Sequence, residues 1–338
     1  MRKVSAILVL AGFLLNTASS IAQSITLVPQ NKAVSIRGLS VVDDSVAWVS
    51  GTKGSIAITK NGGRTWDWKT VKGYEKADFR DIEAFNDKEA VIMSSGTPAL
   101  VMKTTDGGEN WEVKYNNPDS AYFFDAMDFS DKNPKEGWIM GDAIKSKILL
   151  LHTSDGGNNW QSANYMPDAK PGEGAFAASG TCLRTINKHV YMVTGGFATN
   201  YFDLKLPDNK WIISPLPFPK SKASQGAFSV AIGKNGKVIV GGDYSNDKRT
   251  DSTASYSVGN GTDWQLAKKS IAGFQSCVEY LGGDIFLATG TPGSNITTDG
   301  GITWTQISTT SFNVCRKAKH GKLVLLAGSG ANIGIFRM

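Results

Sequence analysis

The sequence predicts an all-β protein: a seven-bladed β-propeller of four-stranded antiparallel blades, closed by pairing of the N-terminal strand with the C-terminal blade. Three observations predict this fold. A short turn that ends in tryptophan recurs along the chain, seven apolar runs that end in glycine recur in step with it, and successive copies lie 40–53 residues apart. Repeats of about that length are typical of propellers and solenoids.

The recurring turn reads Thr-x-Asp/Asn-Gly-Gly-x-x-Trp. Four nearly complete copies end at Trp66, Trp111, Trp160 and Trp304, and two degraded copies end at Trp211 and Trp264. Asn-Gly and Asp-Gly pairs suit the positive φ angles of hairpin turns, so the motif predicts a turn between two strands. A calcium loop would need alternating oxygen ligands and a closing glutamate, which do not follow the three aspartates.

We therefore interpret the motif as structural. Its Asp or Asn side chain is expected to accept hydrogen bonds from its own turn, and its Trp to cover the junction between blades. The predicted structural residues are Thr59, Asn61, Gly63, Trp66, Thr104, Asp106, Gly108, Trp111, Thr153, Asp155, Gly157, Trp160, Thr297, Asp299, Gly301 and Trp304.

The glycine-ended runs are short, rich in β-branched and aromatic residues, and bounded by polar turns, as buried strands are. Their glycines are Gly51, Gly96, Gly141, Gly195, Gly241, Gly290 and Gly328. Each unit is expected to hold a first strand that opens on an apolar residue, the glycine-ended strand, a third strand, and a fourth strand that begins at the Trp. No sustained helical period follows residue 22.

The two ends of the sequence predict export and ring closure. Arg2 and Lys3 precede an apolar stretch at residues 6–15, too short to span a bilayer, and Ser20-Ile21-Ala22 offers a cleavage site before Gln23. We expect residues 1–22 to be a signal peptide and residues 23–338 a single exported propeller domain, periplasmic or secreted. The last unit supplies three strands, and residues 25–28 are expected to supply its fourth.

Charge and cysteine content narrow the function classes. The formal net charge of +6 falls to +4 without the signal peptide, and the lysines are scattered, so no nucleic-acid partner is expected. Cys182, Cys277 and Cys315 each lie 13 residues before a strand-ending glycine, which predicts one equivalent first-strand position. They are either buried small apolar residues or, for Cys277 and Cys315, a disulfide between neighbouring blades, which requires the innermost strands of the two blades to lie close enough for that bond.

The first strand of each unit is expected to line the central channel, and its second residue to lie at the channel mouth. That residue is polar in every clear unit, which either a solvated mouth or a binding site explains. Arg37 and Arg80 are expected to form one anion-binding site, with Asp81 and Asp125 near enough to pair with them. The candidate binding residues are Arg37, Arg80, Asp81, Asp125, Arg184, Ser229, Gln275, Asn313 and Arg316.

Three long polar loops are predicted on the same face as this mouth. They span residues 164–176, 215–225 and 243–254, in the units where the repeated turn has decayed. Because long loops on a rigid scaffold commonly carry binding, blades four and five are expected to form a partner-specific crest.

The repeated turn resembles the Asp-box, or BNR repeat, of sialidases and related propellers. The phrase AWVSGTKGSIAITKNGGRTW at residues 47–66 and DFRDIEAF at residues 78–85 resemble the photosystem II stability/assembly factor family. The resemblance extends over nearly all of residues 23–338 and is weak in units four and five. It implies a seven-bladed, non-catalytic scaffold that binds a protein partner, such as a membrane protein or a folding intermediate. We expect a monomer.

Enzymatic alternatives have weaker support. A glycan-binding or sialidase-like hydrolytic propeller is the runner-up. However, the chain lacks an Arg-Ile-Pro motif near its start and a convincing Tyr–Glu pair, and nothing selects two carboxylates among Asp125, Asp128 and Asp142. The run LVLLAGSGANIG at residues 323–334 does not have dinucleotide-binding spacing. The three histidines fall in different units, so no metal and no cofactor is expected.

Overall fold

Seven four-stranded antiparallel sheets form the blades of a ring, which confirms the predicted fold class. The computed structural model describes residues 23–259, 261–269 and 271–338. The predicted signal peptide at residues 1–22 lies outside the described residues. Within those ranges the regular structure is β, with two short 3₁₀ turns at Tyr244–Asn246 and Ser329–Ala331.

Thirty strands are described, numbered here in chain order. Strand β1 and the first three blades comprise β1 (Ser24–Val28); β2 (Ile36–Val41), β3 (Ala47–Gly51), β4 (Ser55–Thr59) and β5 (Asp67–Thr70) of blade one; β6 (Phe79–Ala84), β7 (Ala90–Ser94), β8 (Ala99–Thr104) and β9 (Glu112–Asn117) of blade two; and β10 (Phe124–Ser130), β11 (Asn133–Ile144), β12 (Lys147–Thr153) and β13 (Gln161–Ser162) of blade three.

The remaining blades follow the same inner-to-outer order. They comprise β15 (Leu183–Ile186), β16 (His189–Val193), β18 (Asn200–Lys205) and β19 (Lys210–Pro215) of blade four; β20 (Gln225–Ile232), β21 (Gly236–Asp243), β22 (Ala254–Val258) and β23 (Gln265–Leu266) of blade five, whose sheet the short strands β14 (Glu173–Gly174) and β17 (Gly195–Gly196) extend; β24 (Cys277–Gly282), β25 (Ile285–Gly290), β26 (Gly293–Thr297) and β27 (Thr305–Ser308) of blade six; and β28 (Val314–Lys317), β29 (Val324–Ala327) and β30 (Ile333–Arg337) of blade seven.

Strand β1 closes the ring as the sequence predicts. It pairs antiparallel with β30, from Ser24 opposite Arg337 to Val28 opposite Ile333. Ile25 and Val28 pack against the core of the seventh blade. The pairing covers an edge that would otherwise expose a row of free backbone groups.

The hydrophobic core lies mainly in the seams between blades. Each large cluster of buried residues combines side chains from neighbouring blades: one joins blades one and two, one joins two and three, and one joins five and six. Each four-stranded sheet alone has two apolar faces, so it is stable only when its neighbours cover them.

The repeated turn connects the third and fourth strands of a blade, and its hydrogen bonds are internal. In blade two the Thr104 hydroxyl donates to Asp106 Oδ1 at 2.9 Å and accepts from the Gly108 N–H at 3.1 Å. Asp106 Oδ1 also accepts from the Asn110 N–H at 3.0 Å. The same contacts recur at Asp155 and Asp299.

The second glycine of the turn contacts the preceding blade. Gly108 has a φ of +80°, and a Cβ at this position would lie 2.8 Å from Ile56 Cδ1 of blade one. Gly301 has a φ of +94° and faces Val238 of blade five at the same distance. Glycine is therefore required both for the backbone conformation and for the close approach of the two blades.

The three cysteines do not occupy one equivalent position, which corrects the sequence prediction. Cys315 lies opposite Leu326, two residues before Gly328, and Cys182 accepts the N–H of Val193, two residues before Gly195. Cys277 lies opposite Thr289, only one residue before Gly290. Equal spacing in sequence hid this offset because the first strands differ in how they begin.

Candidate functional site

Four first strands open with a β-bulge that turns one side chain toward the same mouth of the channel, here called the upper mouth. The register shifts between Ile36 and Gly38, Phe79 and Asp81, Phe124 and Ala126, and Ala227 and Ser229. The extra residues are Arg37, Arg80, Asp125 and Phe228. Bulges commonly redirect side chains at functional sites, so this irregularity defines the candidate site.

The bulge corrects the prediction for blade five. The sequence pattern placed Ser229 at the mouth, but the residue equivalent to Arg37 is Phe228. Ser229 is fully buried and lies one residue further along the strand, where its Oγ accepts the N–H of Val278 in blade six at 2.8 Å. Ser229 therefore joins neighbouring blades.

A cavity of about 380 Å³ opens at the upper mouth. Arg37, Arg80, Asp125 and Asn313, four of the predicted site residues, line it. Asn313 also donates to the carbonyl of Ile36 at 2.8 Å, which holds blade seven against blade one. The structure thus brings these four predicted residues together.

The two arginines lie side by side, but in the described part of the chain only Arg80 is balanced by a carboxylate. Arg80 pairs with Asp78 at 2.7 Å, and not with Asp81 or Asp125 as predicted. Arg37 makes no ion pair within the described part of the chain, and its Nη1 donates to the Ala178 carbonyl at 3.2 Å. Burial and the neighbouring charge of Arg80 lower the pKa of Arg37, which indicates that its charge is poorly stabilised.

Two carboxyl groups, Asp125 and Asp142, line the same cavity. Burial, with the charge of Asp142, raises the pKa of Asp125 well above its usual range, and burial also raises the pKa of Asp142. Asp125 Oδ2 is buried without a hydrogen-bond partner. Asp128, the third carboxylate considered from sequence, lines the cavity at the opposite mouth.

An aromatic wall completes the upper cavity, and sequence reasoning missed it. The rings of Phe176 and Phe228 stack with centroids 3.7 Å apart, and Phe274 meets Phe228 edge-on at 4.8 Å. Tyr244 stands edge-on to Phe176 at 6.3 Å and is 53% exposed. The sequence could have indicated Phe228 only if the bulge had been recognised. Phe176, Phe274 and Tyr244 lie in or beside irregular loops.

The three long loops meet on this face. Phe176 ends the first loop and Tyr244 belongs to the third. Ser224 and Gln225 of the second loop both donate to the Asp243 carboxylate, at 2.7 and 3.0 Å. Glu173 secures the first loop by accepting from Lys170 N and Asn200 Nδ2, both at 2.8 Å. The second and third loops are therefore tied to each other, and the first is tied to β18 of blade four.

Asp81 and Gln275 do not line the upper cavity, and their side chains hydrogen-bond to backbone groups instead. Asp81 is fully buried and accepts the N–H groups of Ile82 and of Met127 in blade three, at 2.9 and 2.8 Å. Gln275 donates to the carbonyls of Gly273 and Phe274. Desolvation raises the pKa of Asp81 to about 8.

Arg184 and Arg316 lie at the other end of the channel, the lower mouth. Arg184 donates to Glu279 Oε2 at 2.9 Å, and Arg316 lies 3.9 Å from the same oxygen. These groups line a second cavity of about 500 Å³ with Glu83 and Lys319, which also pair. The lower mouth is a network of compensated charges, and the predicted site set is split between two faces.

In residues 23–259, 261–269 and 271–338, no three His, Cys, Asp or Glu side chains converge to hold a metal ion. No helix in those ranges is long and apolar enough to cross a membrane.

Comparison with known proteins supports the resemblance predicted from the sequence. The family model for the photosynthesis system II assembly factor YCF48 matches residues 16–117 and 95–179. The chain is 34% identical over 91 residues to the chloroplastic photosystem II stability/assembly factor HCF136 of Oryza sativa subsp. japonica, a match covering 25% of this chain. It spans only 21% of that relative's length.

Solved structures share the fold across most of the chain. A structure of YCF48 bound to D1 peptide has a TM-score of 0.64 and 14% identity, covering 94% of this chain and 95% of the other. A catalytically inactive virginiamycin B lyase from Staphylococcus aureus has a TM-score of 0.65 and 11% identity, covering 94% and 99%. The chain is a photosystem II assembly factor-like β-propeller, and the predicted resemblance is confirmed.

Proposed function

We propose that this assembly factor-like propeller is an exported, non-catalytic scaffold that binds an acidic extramembrane segment of a membrane-protein partner at the upper mouth. One observation carries the proposal. Arg37 and Arg80 lie side by side on neighbouring blades, and Arg37 has no carboxylate partner in the described ranges.

The electrostatics favour an anionic ligand. Two adjacent guanidinium groups repel each other, and partial burial removes water that would stabilise them. A carboxylate between them would relieve both costs and accept up to four N–H bonds in bidentate geometry. Arg80 is already held by Asp78, which leaves Arg37 as the primary contact.

The aromatic wall favours a peptide over a small anion. Tyr244 is half-exposed and stands beside the stacked pair of Phe176 and Phe228. Aromatic side chains exposed at a cavity bind apolar side chains with little loss of conformational entropy. The ligand that fits is a segment with a carboxylate next to an apolar or aromatic residue.

The comparisons support a protein partner without identifying it. A similar structure holds a D1 peptide, and the curated relatives are assembly factors. A propeller fold alone serves many functions, so the support comes from these relatives together with the site. In this proposal the Asp-box turns serve folding, because they lie between outer strands and their polar groups bond within the turn.

The test is cross-linked capture from the native cell envelope, followed by fluorescence anisotropy with peptides from the extramembrane segments of the captured protein. The parent is compared with an Arg37→Glu/Arg80→Glu variant. We expect the variant to bind the peptide at least tenfold more weakly, a change of about 1.4 kcal/mol or more, and the parent affinity to fall with added salt.

A matched control separates the site from overall charge. Lys132→Glu/Lys135→Glu makes the same charge change on exposed residues of the β10–β11 turn and of the start of β11, away from the upper mouth. It should bind like the parent, and circular dichroism should show that all three proteins are folded. Equal capture by the parent and the arginine variant would overturn the proposed site.

A glycan-binding or hydrolytic propeller is the second candidate, favoured by the two carboxyl groups in the same cavity. Burial raises the pKa of both Asp125 and Asp142, and a glycoside hydrolase requires one carboxyl group with a raised pKa as its general acid. Glycan retained by the parent in the capture experiment, with hydrolysis abolished by Asp125→Asn, would replace the scaffold proposal with this one. Capture of a defined membrane protein without hydrolysis supports the scaffold.

A further inference from the structure

The seam between blades six and seven brings two thiols into contact. Cys277 Sγ and Cys315 Sγ are 3.7 Å apart, and both residues are fully buried. Both are free thiols in this structure. Thirty-eight residues separate them in the chain.

The contact follows from a rule that the repeats share. At one first-strand position a side chain accepts the backbone N–H of the next blade's first strand: Asp81 from Met127 and Ser229 from Val278, both at 2.8 Å. Cys277 occupies this position and accepts the N–H of Cys315 at 3.3 Å. The offset of Cys277 from the other cysteines therefore places its sulfur directly against Cys315.

The surroundings lower the pKa of Cys277. Burial alone would raise its pKa, but the hydrogen bond from the Cys315 thiol and the charge of Arg184 hold the pKa of Cys277 below its usual value. Burial and the neighbouring sulfur raise the pKa of Cys315. The Thr181 hydroxyl, which donates to Ser229 Oγ, lies 3.6 Å from Cys277 Sγ.

We propose that Cys277 and Cys315 form a disulfide site that covalently joins blades six and seven when the chain folds in the presence of a disulfide oxidant. A bond requires the sulfurs to close from 3.7 Å to about 2.05 Å, a distance that side-chain rotation can supply. Cys182 takes no part, since it lies in blade four, where its sulfur faces the carbonyl of Phe176.

The reaction is thiol–disulfide exchange. The Cys277 thiolate attacks one sulfur of the oxidant and releases the other as a thiolate, giving a mixed disulfide. The Cys315 thiolate then attacks Cys277 Sγ and expels the second half of the oxidant. The pair loses two protons and two electrons, and the oxidant is reduced to two thiols. Because both sulfurs are buried in the closed ring, exchange precedes completion of blade seven by β1.

The experiment refolds the full protein from the reduced, denatured state in a mixture of oxidised and reduced glutathione. Free thiols are then blocked with N-ethylmaleimide after denaturation, and intact mass and a non-reducing peptide map are recorded. We expect one labelled thiol, on Cys182, a peptide linking Cys277 to Cys315, and a melting temperature several degrees higher than that of the reduced protein.

Two variants make the result specific. Cys277→Ser should fold, because Ser229 already accepts the equivalent N–H in blade five, and its melting temperature should not respond to the redox mixture. Cys182→Ser should keep the disulfide and the full redox shift. Three labelled thiols in the refolded parent, a bond that involves Cys182 or a second molecule, or a lower melting temperature on oxidation would each overturn the proposal.

Discussion

The Asp-box carboxylates hold their turns through hydrogen bonds within the turn. The N–H and side-chain amide of Asn110 donate to Asp106, and hold the pKa of this carboxyl at about 2. Hydrogen bonds from Asn159 and Thr153 outweigh burial and do the same for Asp155. In the first box Asn61 replaces the carboxylate, accepts the Thr65 N–H, and donates to the Thr65 hydroxyl at 2.8 Å.

This difference predicts acid sensitivity that Asn can remove. Because the folded pKa values are depressed, the carboxylates stabilise the fold above about pH 4, and that stability is lost as the pH falls toward 2. An Asp106→Asn/Asp155→Asn/Asp299→Asn variant should lose no more than about 1 kcal/mol per box at neutral pH. Its melting temperature, followed by circular dichroism from pH 7 to pH 2, should fall less steeply than that of the parent.

Two outcomes would contradict this assignment. A variant with the same acid profile as the parent would show that other carboxyl groups control acid unfolding. A variant that does not fold at neutral pH would show that Asn61 is tolerated only in its own blade. The Thr303 hydroxyl donates to Asp299, whereas in the first box the Asn61 amide donates to the Thr65 hydroxyl. An asparagine at position 299 can therefore keep this hydrogen bond with its direction reversed. Asp299→Asn alone is the mildest control.

At the scale of the blade, neighbouring glycines of one turn have different tasks. Gly300 and Gly301 both have positive φ, +74° and +94°, but only Gly301 lies against blade five. Alanine at either position should cost about 1–2 kcal/mol for the backbone conformation. Gly301→Ala should cost roughly a further 1–3 kcal/mol, because its Cβ would meet Val238.

Thermal unfolding of the two single variants measures the packing between blades six and five directly. Gly301→Ala should melt below Gly300→Ala by about 2–4 °C for each additional kcal/mol. Equal melting temperatures would mean that blade five yields to the added methyl group, and that the seam does not depend on the glycine.

The same scale explains what the sequence could and could not predict about the site. Strand number, blade order and turn position follow from period and from turn chemistry, which are local properties. A bulge adds one residue without leaving a compositional mark, so the sequence pattern predicts Ser229 at the mouth where the structure has Phe228. The equal spacing of the three cysteines likewise does not reveal that Cys277 lies opposite Thr289. Which mouth a residue faces depends on its depth along the first strand, so Arg184 and Arg316 were grouped with Arg37.

For the whole molecule, β1 is the element that makes the sheet array a closed ring. It contributes one side of a five-residue ladder with β30, and packs Ile25 and Val28 against the core of blade seven. A variant lacking residues 1–28 should be less stable than one lacking residues 1–22 by roughly 3 kcal/mol, or about 5–10 °C in melting temperature.

Loss of β1 should also expose the edge of β30 to other molecules. Sedimentation velocity should therefore detect dimers or larger species in the variant lacking residues 1–28 and a monomer in the other. Identical melting and sedimentation of the two variants would show that the ring is held by its seams alone.

The pairing of β1 with β30 also sets an order of events in time. Val28 and its partner Ile333 are separated by about 300 residues, so the first strand to be synthesised is among the last to find its neighbour. At a synthesis rate of about 5–20 residues per second, the backbone of β1 stays unpaired for roughly 15–60 s. During that interval six blades can stack before β1 closes the ring. The backbone edge of β1 in a newly made chain therefore stays exposed until β30 emerges, unless another molecule covers it.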